Sequence, residues 1–124
     1  MERAEIQLII VPVADADRSR AFYEGRLGWH VDFDQVVSPE LRFVQITPPR
    51  SACSIAFGPG LSTMAPGSLR AIQVVIDDAD AALAELREAG VDADGVDEQA
   101  WGRFVTFRDP DGNGWTLQQL PVRA

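Results

Sequence analysis

The feature that most constrains the fold of this 124-residue chain is an internal repeat. A shift of 62 positions places Val13 on Val75 and Gly28 on Gly90. In each copy an apolar strand precedes a helix that begins near an aspartate and ends at the glycine, and three further strands follow. One copy alone would leave a sheet face uncovered, so the two copies are predicted to fold together.

Hydrophobic periodicity predicts the order βαβββ in both copies. The predicted strands of the first copy cover residues 5–13, 29–34, 41–47 and 52–57. Those of the second copy cover residues 69–76, 91–93, 103–108 and 114–120. The first helix is expected to begin at Asp15 or Asp17 and the second at Asp77 or Asp78, because aspartate is a favoured N-cap residue.

These elements predict one domain over residues 1–124, made of modules 1–57 and 69–124. Residues 58–68 contain two prolines and three glycines and are predicted to form the linker. The expected fold class is α+β, with two tandem βαβββ modules forming a curved mixed sheet around a central cavity and the helices outside. The alternative from the same pattern is a ferredoxin-like α+β sandwich.

Charge and cysteine content narrow the possible partners. The net charge is −8, the arginines are dispersed and lysine is absent, which argues against a nucleic-acid partner. This arginine bias is typical of a GC-rich bacterial genome. Cys53 is the only cysteine, and the N-terminal residues lack the pattern of a signal peptide or membrane span, so a cytoplasmic protein with no membrane partner is expected.

Two motifs carry a resemblance to a known family. Residues 13–23 read VADADRSRAFY and are followed by Leu27-Gly28, and residues 109–113 read DPDGN before the final strand. In this order and at this distance they resemble the vicinal-oxygen-chelate superfamily, which includes glyoxalases, bleomycin-resistance proteins and dioxygenases. The motifs indicate the fold and not one activity, because the superfamily hosts many. Their residues read as structural: Asp15 caps a helix and Gly112 permits a turn.

The resemblance implies a test for a metal site. Enzymes of this superfamily bind a divalent ion through His and Glu side chains, one from each of four strands. The matching positions here are Leu8, Ala71, Thr116 and, on the fourth strand, a position near Ser54. None is His or Glu, so no metal and no cofactor are expected.

The only histidine offers a weaker alternative. His30 alternates with Asp32 and Asp34 along the second predicted strand, where they would share one face. The favoured interpretation is an exposed polar face, opposite Trp29 and Phe33.

Strand alternation then predicts what lines the cavity. Val44, Ile46, Trp115 and Leu117 are expected to face the helices. The candidate ligand-binding residues are Leu8, Phe43, Gln45, Gln73, Trp101, Arg103, Thr116 and Gln118. For three of them a plain alternative stays open, since Trp101 and Phe43 could be core residues and Arg103 could pair with a surface carboxylate.

An apolar cavity with amides and hydroxyls is suited to a small organic ligand. The first hypothesis is a metal-independent binding protein, of the kind that binds or confers resistance to an antibiotic or natural product. The alternative is a metal-free isomerase or cyclase that polarises a carbonyl through Gln73, Gln118, Thr116 or Arg103. A metal-dependent lyase or dioxygenase is disfavoured. A homodimer is expected, because many superfamily members are dimers and the edge strands are apolar.

Overall fold

The computed structural model describes residues 1–122 as two four-stranded sheets with helices. In chain order the elements are β1 (Leu8–Ile10), α1 (Ala16–Arg20), a π-helical segment (Ala21–Arg26), β2 (His30–Ser38), β3 (Leu41–Thr47), β4 (Ser54–Phe57), β5 (Ile72–Ile76), α2 (Ala79–Glu88), β6 (Asp97–Gln99), β7 (Gly102–Arg108) and β8 (Gly114–Gln119). Within this described range, no helix has the length and apolar character needed to cross a membrane.

Each module forms its own sheet, with the same strand order in both. The first sheet runs β1-β4-β3-β2 and the second runs β5-β8-β7-β6. The outer pairs β1–β4 and β5–β8 are parallel, and the remaining pairs are antiparallel. The predicted α+β class with two tandem βαβββ modules is therefore confirmed.

The helix starts settle which aspartates correspond. The Asp15 carboxylate accepts a hydrogen bond from the N–H of Arg18, and the Asp78 carboxylate accepts one from the N–H of Ala81, both at 3.1 Å. Asp78, one position beyond Asp77, is thus the counterpart of Asp15. These caps lie 63 positions apart, whereas Gly28 and Gly90 lie 62 apart, so the first helix holds one extra residue.

The extra residue is accommodated in the π-helical segment, where a backbone hydrogen bond joins residues five positions apart in place of four. The Leu27 N–H donates to the Phe22 carbonyl oxygen, five residues earlier, at 3.1 Å. Gly28 then ends the helix at a φ of 71°, as Gly90 ends α2 at 75°. Phe22 and Tyr23, at the start of this segment, are both buried.

One hydrophobic core lies between the two sheets. The Tyr23 ring centroid is 5.7 Å from that of Phe57 in the first sheet and 5.8 Å from that of Trp115 in the second. The sheet residues of this core are Val44, Ile46, Ile55 and Phe57 from the first sheet and Val105, Phe107, Trp115 and Leu117 from the second. The side of each sheet that points away from this core is called its outer face below.

This packing differs from the expectation of eight strands curved around one hollow. The strands form two separate sheets, and the faces predicted to line the hollow are outer faces that point away from each other within one chain. The reason is that the large aromatic side chains lie on the helix side of both modules, where joining them in one core buries the most apolar surface.

One predicted strand is displaced. The expected strand at 91–93 is replaced by β6 at Asp97–Gln99, and Ala93 makes only an isolated bridge to Phe107. Val91 gave the apolar signal because it is buried in the core as a loop residue. The true strand is wholly polar and exposed, so its pairing with β7 depends on backbone hydrogen bonds that leave no pattern in the sequence.

Candidate functional site

A buried polar cluster joins the two modules. The Tyr23 hydroxyl donates to Oδ2 of Asp109 at 2.7 Å and accepts from Nε1 of Trp115 at 3.0 Å. Nδ2 of Asn113 donates to the same Asp109 oxygen at 2.8 Å and to the Pro12 carbonyl at 2.9 Å. We call Tyr23, Asp109, Asn113 and Trp115 the junction cluster. Burial, followed by the nearby Asp109 charge, raises the pKa of Tyr23 well above its usual value, so its hydroxyl stays a donor.

The turn that contains Asp109 also forms hydrogen bonds to exposed residues of the first module. Oδ1 of Asp111 accepts hydrogen bonds from the Ala14 N–H at 3.1 Å and from Nη2 of Arg18 at 2.8 Å. Gly112 takes a φ of 95°, which the sequence predicted. The turn therefore reverses the chain and also connects the second module to the first by hydrogen bonds.

The outer face of the second sheet brings three predicted residues together. Gln73 and Thr116 are directly opposite on β5 and β8, and Gln118 lies two positions further along β8. Nε2 of Gln73 donates to Oε1 of Gln118 at 2.7 Å, and Nε2 of Gln118 donates to the Trp101 carbonyl at 3.1 Å. The two amides thus hold each other in a line across the face.

A shallow depression of about 470 Å³ adjoins these residues on the same face. Its lining residues are Arg70, Ala71, Thr106, Arg108, Gly112, Gly114 and Thr116. Two of these residues, Thr106 and Thr116, carry hydroxyls, and two, Arg70 and Arg108, carry guanidinium groups. It is large enough for part of a drug-sized molecule.

Two predicted residues lie elsewhere on the second module. Arg103 is opposite Gln119 on the core side of the sheet and faces α2. Its guanidinium donates to both carboxylate oxygens of Asp80, at 2.8 and 3.2 Å, which is the alternative that the sequence left open. The Trp101 side chain is 63% exposed in the turn before β7, so it is not a core residue.

The outer face of the first sheet holds the other three predicted residues. Leu8 is paired with Ser54 on β4, and Gln45 and Phe43 alternate along β3. The neighbouring Thr47 hydroxyl lies 2.6 Å from that of Ser54. The predicted residues therefore form two groups of three, one on each outer face, and one chain does not bring the groups together.

A β-bulge in β2 corrects the prediction that His30, Asp32 and Asp34 share a face. Strand pairing is irregular between Val31 and Phe33, and after it every side chain changes sides. Asp32 stays on the outer face with His30, and Phe33 joins them, 60% exposed. Asp34 instead turns to the core side.

The Asp34 carboxylate is held there by two arginines. It accepts from Nε of Arg42 at 2.9 Å and from Nη1 of Arg20 at 2.6 Å. These hydrogen bonds, with Arg42 contributing most, lower the pKa of Asp34 to about 2. The predicted polar face is thus split between the two sides of the sheet: Asp32 is on the outer face, and Asp34 forms ion pairs on the core side.

The four positions that correspond to metal ligands do not fit a divalent cation. Leu8 and Ala71 offer no donor atom, and Ser54 and Thr116 offer only neutral hydroxyls. Leu8 and Ser54 are on the outer face of the first sheet, whereas Thr116 is on the outer face of the second sheet and Ala71 immediately precedes β5. Within residues 1–122, no group of three His, Cys, Asp or Glu side chains is arranged to hold a metal ion.

A larger cleft of about 720 Å³ opens between the modules, beside β5 and α2. Its lining includes Trp29 and residues 48–51 of the first module and Phe107 and Leu117 of the second. Gln73 is the one predicted ligand-binding residue in its lining. Strand alternation could not reveal this cleft, because it lies at a sheet edge and not on a sheet face.

Known proteins share this arrangement. The model of the Glyoxalase/Bleomycin resistance protein/Dioxygenase superfamily matches residues 5–117. The chain belongs to this superfamily. Among solved structures, TnmS3, an antibiotic binding protein from Streptomyces sp. CB03234, is 37% identical with a TM-score of 0.89, covering 98% of this chain and 99% of that chain.

Two further proteins are similar over most of their length. A glyoxalase/bleomycin resistance protein from the same Streptomyces is 37% identical with a TM-score of 0.82, covering 93% of this chain and 100% of that chain. YetH of Bacillus subtilis (strain 168) is 24% identical over 117 residues, which cover 93% of this chain and 98% of YetH. The resemblance found in the sequence motifs is therefore confirmed.

In this superfamily member the two sequence motifs meet in space. Tyr23 and Arg18 of the first motif contact Asp109 and Asp111 of the second. The sequence predicted a cap and a turn, but the contacts between them span 86 to 97 positions and have no local signal. The motif residues thus hold the modules together through contacts on the core side and in the turn, away from the outer faces.

Proposed function

We propose that this superfamily member binds small organic molecules, aromatic or amphipathic in character, as a metal-independent antibiotic- or natural-product-binding protein. The observation that carries the proposal is the chemistry of the outer faces, where apolar and uncharged hydrogen-bonding side chains occupy the positions of metal ligands. The similarity to TnmS3, an antibiotic binding protein, supports it.

The outer face of the second sheet supplies directional hydrogen bonds. Gln118 and Gln73 use only part of their hydrogen-bonding capacity on each other, so the Gln73 carbonyl oxygen and the Thr116 hydroxyl are available to a ligand. Val75 lies on the same face, 60% exposed, and adds apolar area. Burial provides affinity in such a site, and the amides fix orientation.

A homodimer is part of the proposal. Each outer face is open in one chain. A ligand held between two faces buries more of its apolar surface than a ligand on one face. A second copy can place its first-sheet outer face over the second-sheet outer face of its partner. Light scattering should then give twice the mass of one chain.

The proposal is tested by screening metabolites and antibiotics for a thermal shift and recovering each hit for mass spectrometry. A binding protein returns the compound unaltered, whereas an altered compound would favour the metal-free isomerase or cyclase. Gln118→Leu should weaken a hit roughly tenfold, because Gln73 loses the amide that orients its carbonyl oxygen toward the ligand. Arg103→Ala, on the opposite face of the same sheet, is the matched control and should change the affinity less than about twofold. Equal effects of the two variants would exclude the second outer face as the site.

A further inference from the structure

We propose that Asp32 anchors a protonated amine of the ligand, so that the site selects amines attached to an aromatic body. This inference rests on the proposed function and names the ligand class. The sequence assigned Asp32 to an exposed polar strand face, and Asp32 stays on that outer face, but the β-bulge of β2 turns Asp34 away from it and brings Phe33 beside it.

Neutral groups hold one oxygen of the Asp32 carboxylate in place. Its Oδ2 accepts from Nε2 of Gln45 at 3.2 Å and from the Thr47 hydroxyl. The Thr47 oxygen is in turn 2.6 Å from the Ser54 hydroxyl, which is buried. The carboxylate is therefore fixed on the outer face, but none of these partners neutralises its charge.

The second oxygen of Asp32 is free for a ligand. Its Oδ1 lies 3.7 Å from Nε2 of His30, beyond hydrogen-bonding distance, and the His30 ring is 80% exposed. No arginine of residues 1–122 forms an ion pair with this carboxylate. An amine would find one preoriented acceptor oxygen.

Other half-buried or buried carboxylates of the described chain are satisfied differently. Asp34 and Asp111 pair with arginines, and Asp109 is surrounded by the donors of the junction cluster. The Asp32 side chain is only 20% exposed, so much of its hydration is lost, yet no arginine of the described chain pairs with it. A ligand cation would supply the charge that the protein does not.

The surroundings of Asp32 suit an aromatic body. Phe33 follows it in β2 and is 60% exposed, and Phe43 and Leu8 lie on the same outer face. An amine joined to a ring system would place its cation on Asp32 and its rings on these side chains. The net charge of −8 also draws cations toward the protein.

Two fluorescent probes with the same rings test the inference: 9-anthracenylmethylammonium, which carries the cation, and 9-anthracenemethanol, which is neutral. Each is titrated at pH 7.5 into the wild-type chain, Asp32→Asn and Asp77→Asn. Asparagine retains the acceptor for Gln45 and Thr47, so the fold is kept. Asp77→Asn removes the same charge from the lining of the cleft between the modules and is the matched control.

The wild-type chain and Asp77→Asn should bind the ammonium probe roughly tenfold more tightly than the alcohol, as for a hydrogen bond to a charged group. Asp32→Asn should bind both probes alike, with the alcohol affinity unchanged. Equal binding of both probes by the wild-type chain, or loss of the preference in Asp77→Asn alone, would overturn the role of Asp32 and leave the proposed function standing. Binding of neither probe would instead count against the proposed function, and the inference with it.

Discussion

The two modules reach their last strand through turns of very different character. Arg50 and Gly112 lie 62 positions apart in these turns, and both have positive φ, at 64° and 95°. The backbone path is thus repeated. The environment of the side chains is not repeated. Asp109 and Asn113 are buried in the junction cluster, whereas Pro49 and Arg50 are exposed at the cleft between the modules. The two copies therefore share the backbone geometry of this turn, whereas the contacts that join the modules come from the turn of the second copy.

The helices of the two modules also differ in the contacts that they make. The ten-residue α2 is regular and places Ala79 and Leu86 in the core. The first helix is longer by one residue, which widens it into the π-helical segment and lets Phe22 and Tyr23 both reach the core. The Phe22 ring is 6.3 Å from Phe107 of the other module. The first module thus supplies the buried aromatic side chains of its helix, and the second supplies the turn that contains Asp109.

The largest difference is expected when each turn loses one polar side chain. Asp109→Ala should lower the free energy of unfolding by about 3 to 5 kcal/mol, because the Tyr23 hydroxyl and the Asn113 amide lose a buried acceptor. Ser51→Ala, in the first-module turn, removes a bond to the Cys53 carbonyl and should lower it by less than about 1 kcal/mol.

Urea unfolding of both variants measures this contrast. Similar losses in the two variants would mean that the two turns contribute equally, and that the junction cluster does not hold the modules together. A change in the slope against urea, with two transitions in place of one, would instead show the modules unfolding separately.

A smaller contrast is expected from pH. The pKa of Asp34 is lowered to about 2 by Arg42 and Arg20, so its ion pairs stabilise the fold above pH 4 and lose this effect as the pH falls from about 4 to 2. The loss should amount to about 1 to 2 kcal/mol after allowing for solvent screening. Asp34→Asn should abolish this part of the acid dependence.

The matched change in the second module is Asp80→Asn, at an exposed pair with Arg103. Arg103 also lowers the pKa of Asp80, but water screens this pair. Thermal unfolding midpoints at pH 2, 3, 4 and 6 compare the two variants with the wild-type chain. A larger flattening of the acid dependence in Asp80→Asn would reverse the ranking of the two ion pairs.

Much of the fold could be predicted because its signals are local and periodic. Alternation placed Val44 and Trp115 on the core side, and helix capping predicted Asp15. The junction cluster could not be predicted, because Tyr23 and Asp109 are 86 positions apart and each has an ordinary local role. The strand at Asp97–Gln99 was missed because exposed polar residues carry no hydrophobic signal.

The candidate site could be predicted less well, and for two physical reasons. One extra residue in β2 reverses the faces of Phe33 and Asp34, and strict alternation cannot detect a bulge. Alternation also gives the face of a sheet but not the direction in which that face points. Gln45 and Gln118 were expected in one hollow, and in one chain they lie on opposite outer faces.

Metal-independent binding is tested by calorimetric titration of a compound from the screen into chelator-treated protein, with and without added Zn²⁺ or Mn²⁺. Because hydroxyl and apolar side chains stand at Leu8, Ser54, Ala71 and Thr116, the affinity should be the same in both conditions. Binding that is lost on chelation and restored by a stoichiometric amount of metal would contradict the account.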